Sequence, residues 1–571
     1  MKSFLIFIIS IIMFAQLAFP QVRFIEMAEE LNINEREFTC GVGIVNVDKD
    51  VYPEIITGTH IGSDRFYKWQ GEEYLDMGVV YGFESPSNYH HQVALVDINY
   101  DHHIDIYISG DPAYGIHAHL YLNSVSPPFE DVASDYNLVD ATDLGSSFFM
   151  LTPTSDLALM DGSRLKLKEG DVFVDITQGS GLEGIGNGLT PIFTDIDGDG
   201  DQDLIVGHNY GGDANLLRNN GDGTFTNISS NSDYGYFPNT QGLVVADFDG
   251  DGDMDFYTTG AWANQMWYND GTGYFTNATD FSSTHTSGSR GASAGDFDND
   301  GDIDLYINSN YTNILFLNNG DGTFIDYSNE AGIYESYDGG GCAVSDLNND
   351  GQLDIVAVNF FSSPTLVYIN QNVNSRFLKV EVIGQMPNTM ALGAIVKLYG
   401  IDGDPDNPEY IGTREVRSAS TMYSVDDPLL HFGTGNYQSL RVVAKFSSLA
   451  VVDTSGILPG QTITIFEPEY TDISDPEPAL PSSYLTVSAY PNPFNSSTRL
   501  NIKAVSGTYD LAIYDVLGRL VKSDVLAITD NSSGYIWDGT NNEGHCVPSG
   551  LYFVRVANGQ TECRAKLTLL R

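Results

Sequence analysis

The sequence predicts an all-β protein: a seven-bladed β-propeller, then a small β module, then a C-terminal β-sandwich. Three observations carry that prediction. An acidic window, "DIDGDGDQDL" at its fullest, returns about every 50 residues. Between windows, short apolar strands alternate with turns such as "NNGDGTF" and "NDGTGYF", where Gly, Asn and Asp supply the positive φ angles of tight hairpins. The third is composition: 33 Tyr, 30 Phe and 58 Gly in 571 residues, with 42% apolar content, mark a folded β-rich chain rather than a disordered acidic one.

The chain opens with "MKSFLIFIISIIMFAQLAFPQ". One Lys, an apolar run and then small residues predict a secretory signal peptide over residues 1–21, with a membrane anchor as the alternative. No later segment is apolar enough to span a bilayer. The net charge of −51, from 26 basic and 77 acidic residues, argues against nucleic acid or an anionic membrane as partner.

The repeat occupies residues 22–374. Windows begin at Asn46, Asp97, Asp195, Asp247, Asp296 and Asp346, spaced 51, 98, 52, 49 and 50 residues apart. The doubled interval predicts a degenerate copy near residue 148, where "FFMLTPTSDLALM" keeps the strand but only Asp156 of the acidic set. Seven units therefore run from about residue 36 to 373, each reading as four short strands. Radial closure of such units leaves few exposed sheet edges.

Aspartates at every second position repel one another, so a cation is expected among them. Side chains at positions 1, 3, 5 and 9 of a window and the backbone carbonyl of position 7 supply only oxygen. Such a set suits Ca²⁺ better than Mg²⁺. An EF-hand would need Glu at position 12, where Val206, Thr258 and Ile307 stand.

The windows, their spacing and the "GDGTF" turns resemble the FG-GAP (VCBS-type) repeats of integrin α-subunit propellers and bacterial surface proteins. That resemblance implies calcium ligands at Asp195, Asp197, Asp199, Asp201 and Asp203; Asp247, Asp249, Asp251, Asp253 and Asp255; Asp296, Asp298, Asp300, Asp302 and Asp304; and Asp346, Asn348, Asp350, Gln352 and Asp354. Position 7 enters through its carbonyl. Asp97, Asn99, Asp101 and Asp105 form a fifth set, with His102 where Gly is expected. Asn46, Asp48, Asp50 and Glu54 depart further as a sixth. The third unit has lost its site.

Residues 375–466 carry "RFLKVEVIG", "ALGAIVKLYG", "REVRSASTMYS", "LLHFGTG" and "LRVVAKF", read as alternating strands without acidic loops. Their order resembles the ASPIC/UnbV module, although "FSSL" at 446–449 replaces that family's Trp-Pro-Ser-Gly turn. Residues 467–485, rich in Pro, Ser and acids, read as a linker. Over residues 486–571, "YPNPF", "LGR", "WDG" and "SGLYFVRV" resemble the C-terminal sorting domain of type IX secretion cargo, with an Ig-like fold. This implies contact with that secretion machinery and release from, or attachment to, the surface of a Bacteroidota-like bacterium. Of the four cysteines, Cys40 and Cys342 fall on the innermost strands of the first and last units, where a disulfide could latch the ring; Cys546 and Cys563 lie in the tail.

No nucleophile elbow, phosphate loop, dinucleotide fingerprint or H-E-x-x-H occurs. Loops opposite the acidic windows gather His60, His90, His91, His117, His119, His208 and His285, seven of eleven histidines, with Tyr114, Tyr210, Trp262, Tyr311, Phe360 and Phe361. Aromatics beside amides and histidines suit an extracellular glycan or protein ligand. Converging histidines would instead suit a transition metal or a polysaccharide-degrading enzyme, and a purely structural scaffold is the third reading.

Overall fold

In a computed structural model, the described residues are 22–468 and 485–569, apart from 34–35, 84–88, 112–113, 140–144, 153–156, 186–187, 209–213, 234–236, 238–239, 261–262, 285, 374–375, 403–407, 491–497, 505–506, 516–518, 529–531 and 559–561. The signal peptide and nearly all of the linker lie outside them, as do Asp156, Tyr210, Trp262 and His285.

Among the described residues, seven four-stranded antiparallel sheets succeed one another as the repeat predicts, in the manner of a β-propeller. Their first strands are Phe38–Val45, His90–Val96, Ser146–Met150, Gly188–Thr194, Gly242–Ala246, Ser289–Gly295 and Gly339–Ser345; the sheets are numbered 1 to 7 accordingly. Each first strand touches the next, and that of sheet 7 touches that of sheet 1. Sheet 3 stands where the degenerate copy was expected.

Sheet 7 departs from the four-strands-per-unit reading. Its outer strand is Phe24–Glu26, from before the first unit, paired with Leu366–Asn370. The seventh unit runs out of "GDGTF" turn after Asn370, and the N-terminal segment covers the edge left open.

Residues 376–466 form two further sheets. Phe377–Ile383 pairs in parallel with Gln461–Phe466 and antiparallel with Leu430–Gly433. The other sheet is ordered Glu409–Glu415, Ile395–Gly400, Leu440–Lys445, Val451–Ile457. One hydrophobic cluster runs from Leu378, Val396, Leu398, Val425 and Phe432 of this module into Val45, Leu95, Ile106 and Phe148 of sheets 1 to 3. Module and sheets share a compact unit ending at Glu469.

The expected strand "REVRSASTMYS" stops at Glu415. The segment after it enters the ring instead. Leu95 N donates to Ser418 O (3.1 Å), Val93 N to Tyr423 O (3.1 Å), and Ile44 N to Val425 O (3.2 Å). Phe148 N donates to Ser418 Oγ (2.7 Å), Val344 N to Asp426 Oδ1 (2.8 Å), and Arg417 Nη1 to Val245 O (2.9 Å). Innermost strands present unpaired backbone groups to the axis, and burying them unpaired costs about as much as a lost hydrogen bond. A segment of small polar residues satisfies them and fills the axis.

The second unit, from Tyr470, holds a three-stranded sheet (Leu485–Tyr490, Thr498–Ala504, Ser532–Trp537) and a four-stranded one (Leu520–Ile528, Gly507–Asp515, Gly550–Ala557, Glu562–Leu569). Leu500, Ile513, Trp537, Val554 and Leu567 belong to their shared core.

Candidate functional site

Each acidic window bridges the first and second strands of its sheet. The first residue accepts backbone N–H bonds from within the loop: Gly200 N to Asp195 (3.0 Å), Gly301 N to Asp296 (2.9 Å), Gly351 N to Asp346 (2.7 Å). Those glycines have φ of +98°, +116° and +87°, which L side chains adopt only at a cost. In sheet 2 His102 takes φ +64° and still donates to Asp97 at 2.7 Å. The loop shape thus survives the substitution, with strain of about 1 kcal/mol.

The ninth residue points inward and is completely buried. Asp203 accepts Ile196 N (3.0 Å) and Asn219 N (2.7 Å), and Asp105, Asp255, Asp304 and Asp354 repeat both bonds in their own sheets. The Asn that donates is a second recurring element. Nδ2 of Asn123, Asn219, Asn269, Asn318 and Asn370 donates to a carbonyl of the preceding sheet, at 2.8–3.1 Å. Sequence reasoning read this Asn only as the start of a hairpin turn. Its identical place before the Gly-rich turns that follow Asn219, Asn269 and Asn318 was the available signal; Asn123 and Asn370 precede no such turn.

The carboxylate oxygens of Asp195, Asp197 and Asp199 all lie within 4.8 Å of one another, as do those of Asp247, Asp249 and Asp251 and of Asp296, Asp298 and Asp300. Burial, with repulsion from Asp251 and Asp247, pushes Asp249 up to about 6. Burial, ahead of the repulsion from Asp296 and Asp300, raises Asp298 as well. In the windows of sheets 2 and 7, Asn99 Nδ2 and Asn348 Nδ2 each donate to the next Asp at 3.0 Å. The donor set is all oxygen and excessively negative, so its chemistry fits a hard divalent cation.

Sheet 1 differs. Asp48, Asp50 and Glu54 converge on Lys68, whose Nζ lies 2.7, 3.0 and 2.7 Å from them. Burial pushes Glu54 up to about 7 against the pull of Lys68. Lys68 itself, which burial disfavours as a charge, is raised by its three acidic partners. Contacts this short from one ammonium to three carboxylates give this loop its counter-charge from within its own sheet.

The module covers the acidic windows. Lys379 Nζ is 2.5 Å from Asp346, and Lys445 Nζ is 3.8 Å from Asp195. Thr389 Oγ1 donates to Asp97 (2.6 Å) and the Tyr410 hydroxyl to Asp247. A cavity of about 560 Å³ remains between module and loops, its lining including Arg414, Arg417, Asp426, Asp427 and His431.

On the opposite face the histidines do not form one cluster. His60 Nδ1 meets His91 Nε2 at 3.1 Å, and Cys40 lies beside them. His90 Nδ1 is 2.5 Å from Asp64, both fully buried, and the pull of that carboxylate outweighs burial to raise the histidine. His119 Nδ1 is 2.6 Å from Asp131, His117 Nδ1 reaches Val139 O (3.0 Å), and His208 meets Asn215 (2.6 Å). Phe360 is buried, whereas Phe361 and Tyr311 are each 66% exposed and Tyr114 61%. Cys40 and Cys342 are both free buried thiols. No disulfide latches the ring: Cys342 Sγ instead meets Ser293 Oγ at 3.2 Å, and the ring is closed by strand pairing and the inserted segment.

Against this geometry, an FG-GAP-like repeat model matches residues 195–258, 247–307 and 296–357, and a secretion system C-terminal sorting domain model matches 488–569. The chain carries FG-GAP-like repeats. The sorting domain, of the type IX class, makes it a secreted or cell-surface protein of a Bacteroidota-type bacterium. Among the described residues no helix is long and apolar enough to cross a membrane. Comparison with curated protein sequences finds no match. Among solved structures, the chain is similar to an Agrocybe aegerita lectin that recognises non-reducing terminal N-acetylglucosamine (16% identity, 62% of this chain, 87% of that one, TM-score 0.35). It is similar also to PorZ, a surface component of the type IX secretion system of Porphyromonas gingivalis (13% identity, 93% and 81%, TM-score 0.20). At these TM-scores neither carries an argument.

Proposed function

We propose that this protein is a calcium-loaded, seven-bladed propeller that binds an extracellular ligand, a glycan foremost, through the face opposite its acidic loops. The observation that carries the reading is the difference in cover. The module seats on the acidic loops, whereas Tyr114, Tyr311 and Phe361, in loops at the other end of the sheets, are 61–66% exposed. Exposed rings stack on the apolar faces of sugars, and neighbouring amides fix hydroxyls. A protein ligand would use the same rings for adhesion.

The calcium ions are structural. They hold the loops of sheets 4, 5 and 6 and, with Asn in the set, those of sheets 2 and 7, while Lys68 serves sheet 1 in place of an ion. On the same reading the module 376–466 is an ASPIC/UnbV-like domain and the sorting domain of residues 486–571 has an Ig-like fold.

A polysaccharide-degrading activity has the His119–Asp131 pair in its favour, 39% of the carboxylate side chain being exposed. The test uses the full chain with calcium, incubated with a panel of polysaccharides and matrix proteins. Retention lost in Phe361→Ala and Tyr311→Ala, without cleavage, supports binding by the aromatic face. New chain ends that vanish with His119→Gln would overturn it in favour of the enzyme, and retention unaffected by either aromatic variant would remove the face from the account.

A further inference from the structure

Cys40, His60 and His91 come together through three backbone irregularities. In sheet 1 the register runs Phe38↔Ile61, Thr39↔Thr59, Gly41↔Gly58. His60 is therefore the extra residue of one bulge and Cys40 the extra residue of the next, on facing strands. In sheet 2 the register runs His90↔Gly110, then Val93↔Ile108, leaving one extra residue in the span 91–92. Bulges re-aim side chains, and they concentrate beside functional sites. First strands of sheets 4, 6 and 7 slip at equivalent places, across Leu189, Arg290 and the pair Gly340–Gly341. Among the described residues, the irregularity brings imidazole and thiol together in sheets 1 and 2.

The ligand atoms of the three residues lie within 4.8 Å of one another, and two imidazole nitrogens face each other at 3.1 Å. Cys40 is 2% exposed, while His60 is half-buried and opens to the outer face. Around them stand Phe38, 4.3 Å from the His60 ring, Tyr89, also 4.3 Å from it, and Tyr423, stacked on His91 at 5.3 Å. Tyr423 belongs to the segment that fills the axis, so the cluster sits at the inner end of that segment. One thiol and two imidazoles are soft or borderline donors, unlike the all-oxygen loops at the other end of the ring.

We propose that Cys40 Sγ, His60 Nδ1 and His91 Nε2 form a binding site for a borderline-soft transition-metal ion, Zn²⁺ or copper, distinct from the calcium loops. Binding releases the Cys40 thiol proton to solvent and forms one metal–sulfur and two metal–nitrogen bonds. The rings of Phe38 and Tyr89 pack on His60 and that of Tyr423 on His91, and three protein ligands leave a fourth position for water or another ligand. Such an ion ties sheet 1 to sheet 2 at the axis.

The full chain, reduced and kept in excess calcium, is titrated with Co²⁺ as a spectroscopic probe and then with Zn²⁺. The expected result is one Co²⁺ per chain with a sulfur-to-metal charge-transfer band, displaced by Zn²⁺, lost in Cys40→Ser and kept in Cys342→Ser. His60→Gln and His91→Gln each lose the band as well. X-ray absorption of the Zn²⁺-loaded wild type needs no variant to fold: one sulfur at about 2.3 Å and two nitrogens at about 2.0–2.1 Å are expected. Bound Co²⁺ without the band, a band that survives Cys40→Ser, or an all-oxygen shell overturns the site and leaves an ordinary His60–His91 hydrogen bond. None of these outcomes depends on whether the aromatic face binds a glycan.

Discussion

The acidic loops of sheets 1 and 6 occupy the same place in their repeats but meet like-charge repulsion differently. In sheet 1, Lys68 reaches from the third strand and sets its ammonium among Asp48, Asp50 and Glu54. In sheet 6, Asp296, Asp298 and Asp300 crowd together, and the Arg414 guanidinium of the module pulls against the rise of Asp296. The first loop carries its counter-charge in its own repeat. The second holds three carboxylates that burial pushes upward, with repulsion from their neighbours adding to the rise of Asp296 and Asp298, and on the proposed reading a cation would relieve them. A repeat that keeps its acids can therefore meet their repulsion from within or leave it unmet, according to one side chain on a neighbouring strand.

Replacing Lys68 by Met breaks the comparison most severely. It leaves three carboxylates without their cation, and in chelator the protein loses about 3 kcal/mol of stability; with calcium, equilibrium dialysis finds one more ion per chain. Asp298→Asn sharpens the comparison through a change of sign. With calcium it destabilises by about 2 kcal/mol through the lost ligand, whereas in chelator it stabilises because repulsion falls; paired urea titrations read both. Asn269→Ala removes the bonds to Ile196 O (2.8 Å) and Met254 O (3.2 Å). It costs about 2 kcal/mol with or without calcium, which separates the inter-sheet tie from the ion.

A last effect, spread over a pH range, concerns the module's seat. His431 is held neutral by burial, which pushes it down to about 3, against an ordinary value of about 6.5. Below that value the unfolded chain takes up a proton that the folded one refuses. Stability is therefore lost as pH falls from about 6.5 towards 3, by up to about 1.4 kcal/mol per unit. Urea unfolding between pH 7 and 5 in calcium reads the slope, and His431→Gln flattens it.

Much of this was legible in advance because it is local. Aspartates at alternate positions, the glycines at positive φ and the hairpin turns all lie within ten or so residues of one another. Lys68 was not, since "RFYKW" reads as any half-exposed strand, and its partners come from the loop between the two strands before it. The inserted segment was read as a strand because Ser418 and Tyr423 meet residues some 270–380 positions away, and no periodicity encodes such a meeting. Cys40 and His91 were noticed separately, one as a disulfide candidate and the other as a loop histidine, because a bulge leaves no mark in the sequence. The N-terminal strand that completes sheet 7 is three residues long, too short for alternation to declare.

The most direct test of the account is calcium stoichiometry measured together with the thermal melt. Equilibrium dialysis of the purified full chain should find at least three ions, for sheets 4, 5 and 6, and at most five. Each site saturated at 100 times its Kd contributes about 2.7 kcal/mol, so with three to five sites chelator should lower the melting temperature by roughly 8–14 °C. A melt unchanged by chelator, with no calcium retained, would contradict the claim that ions answer the repulsion in these loops.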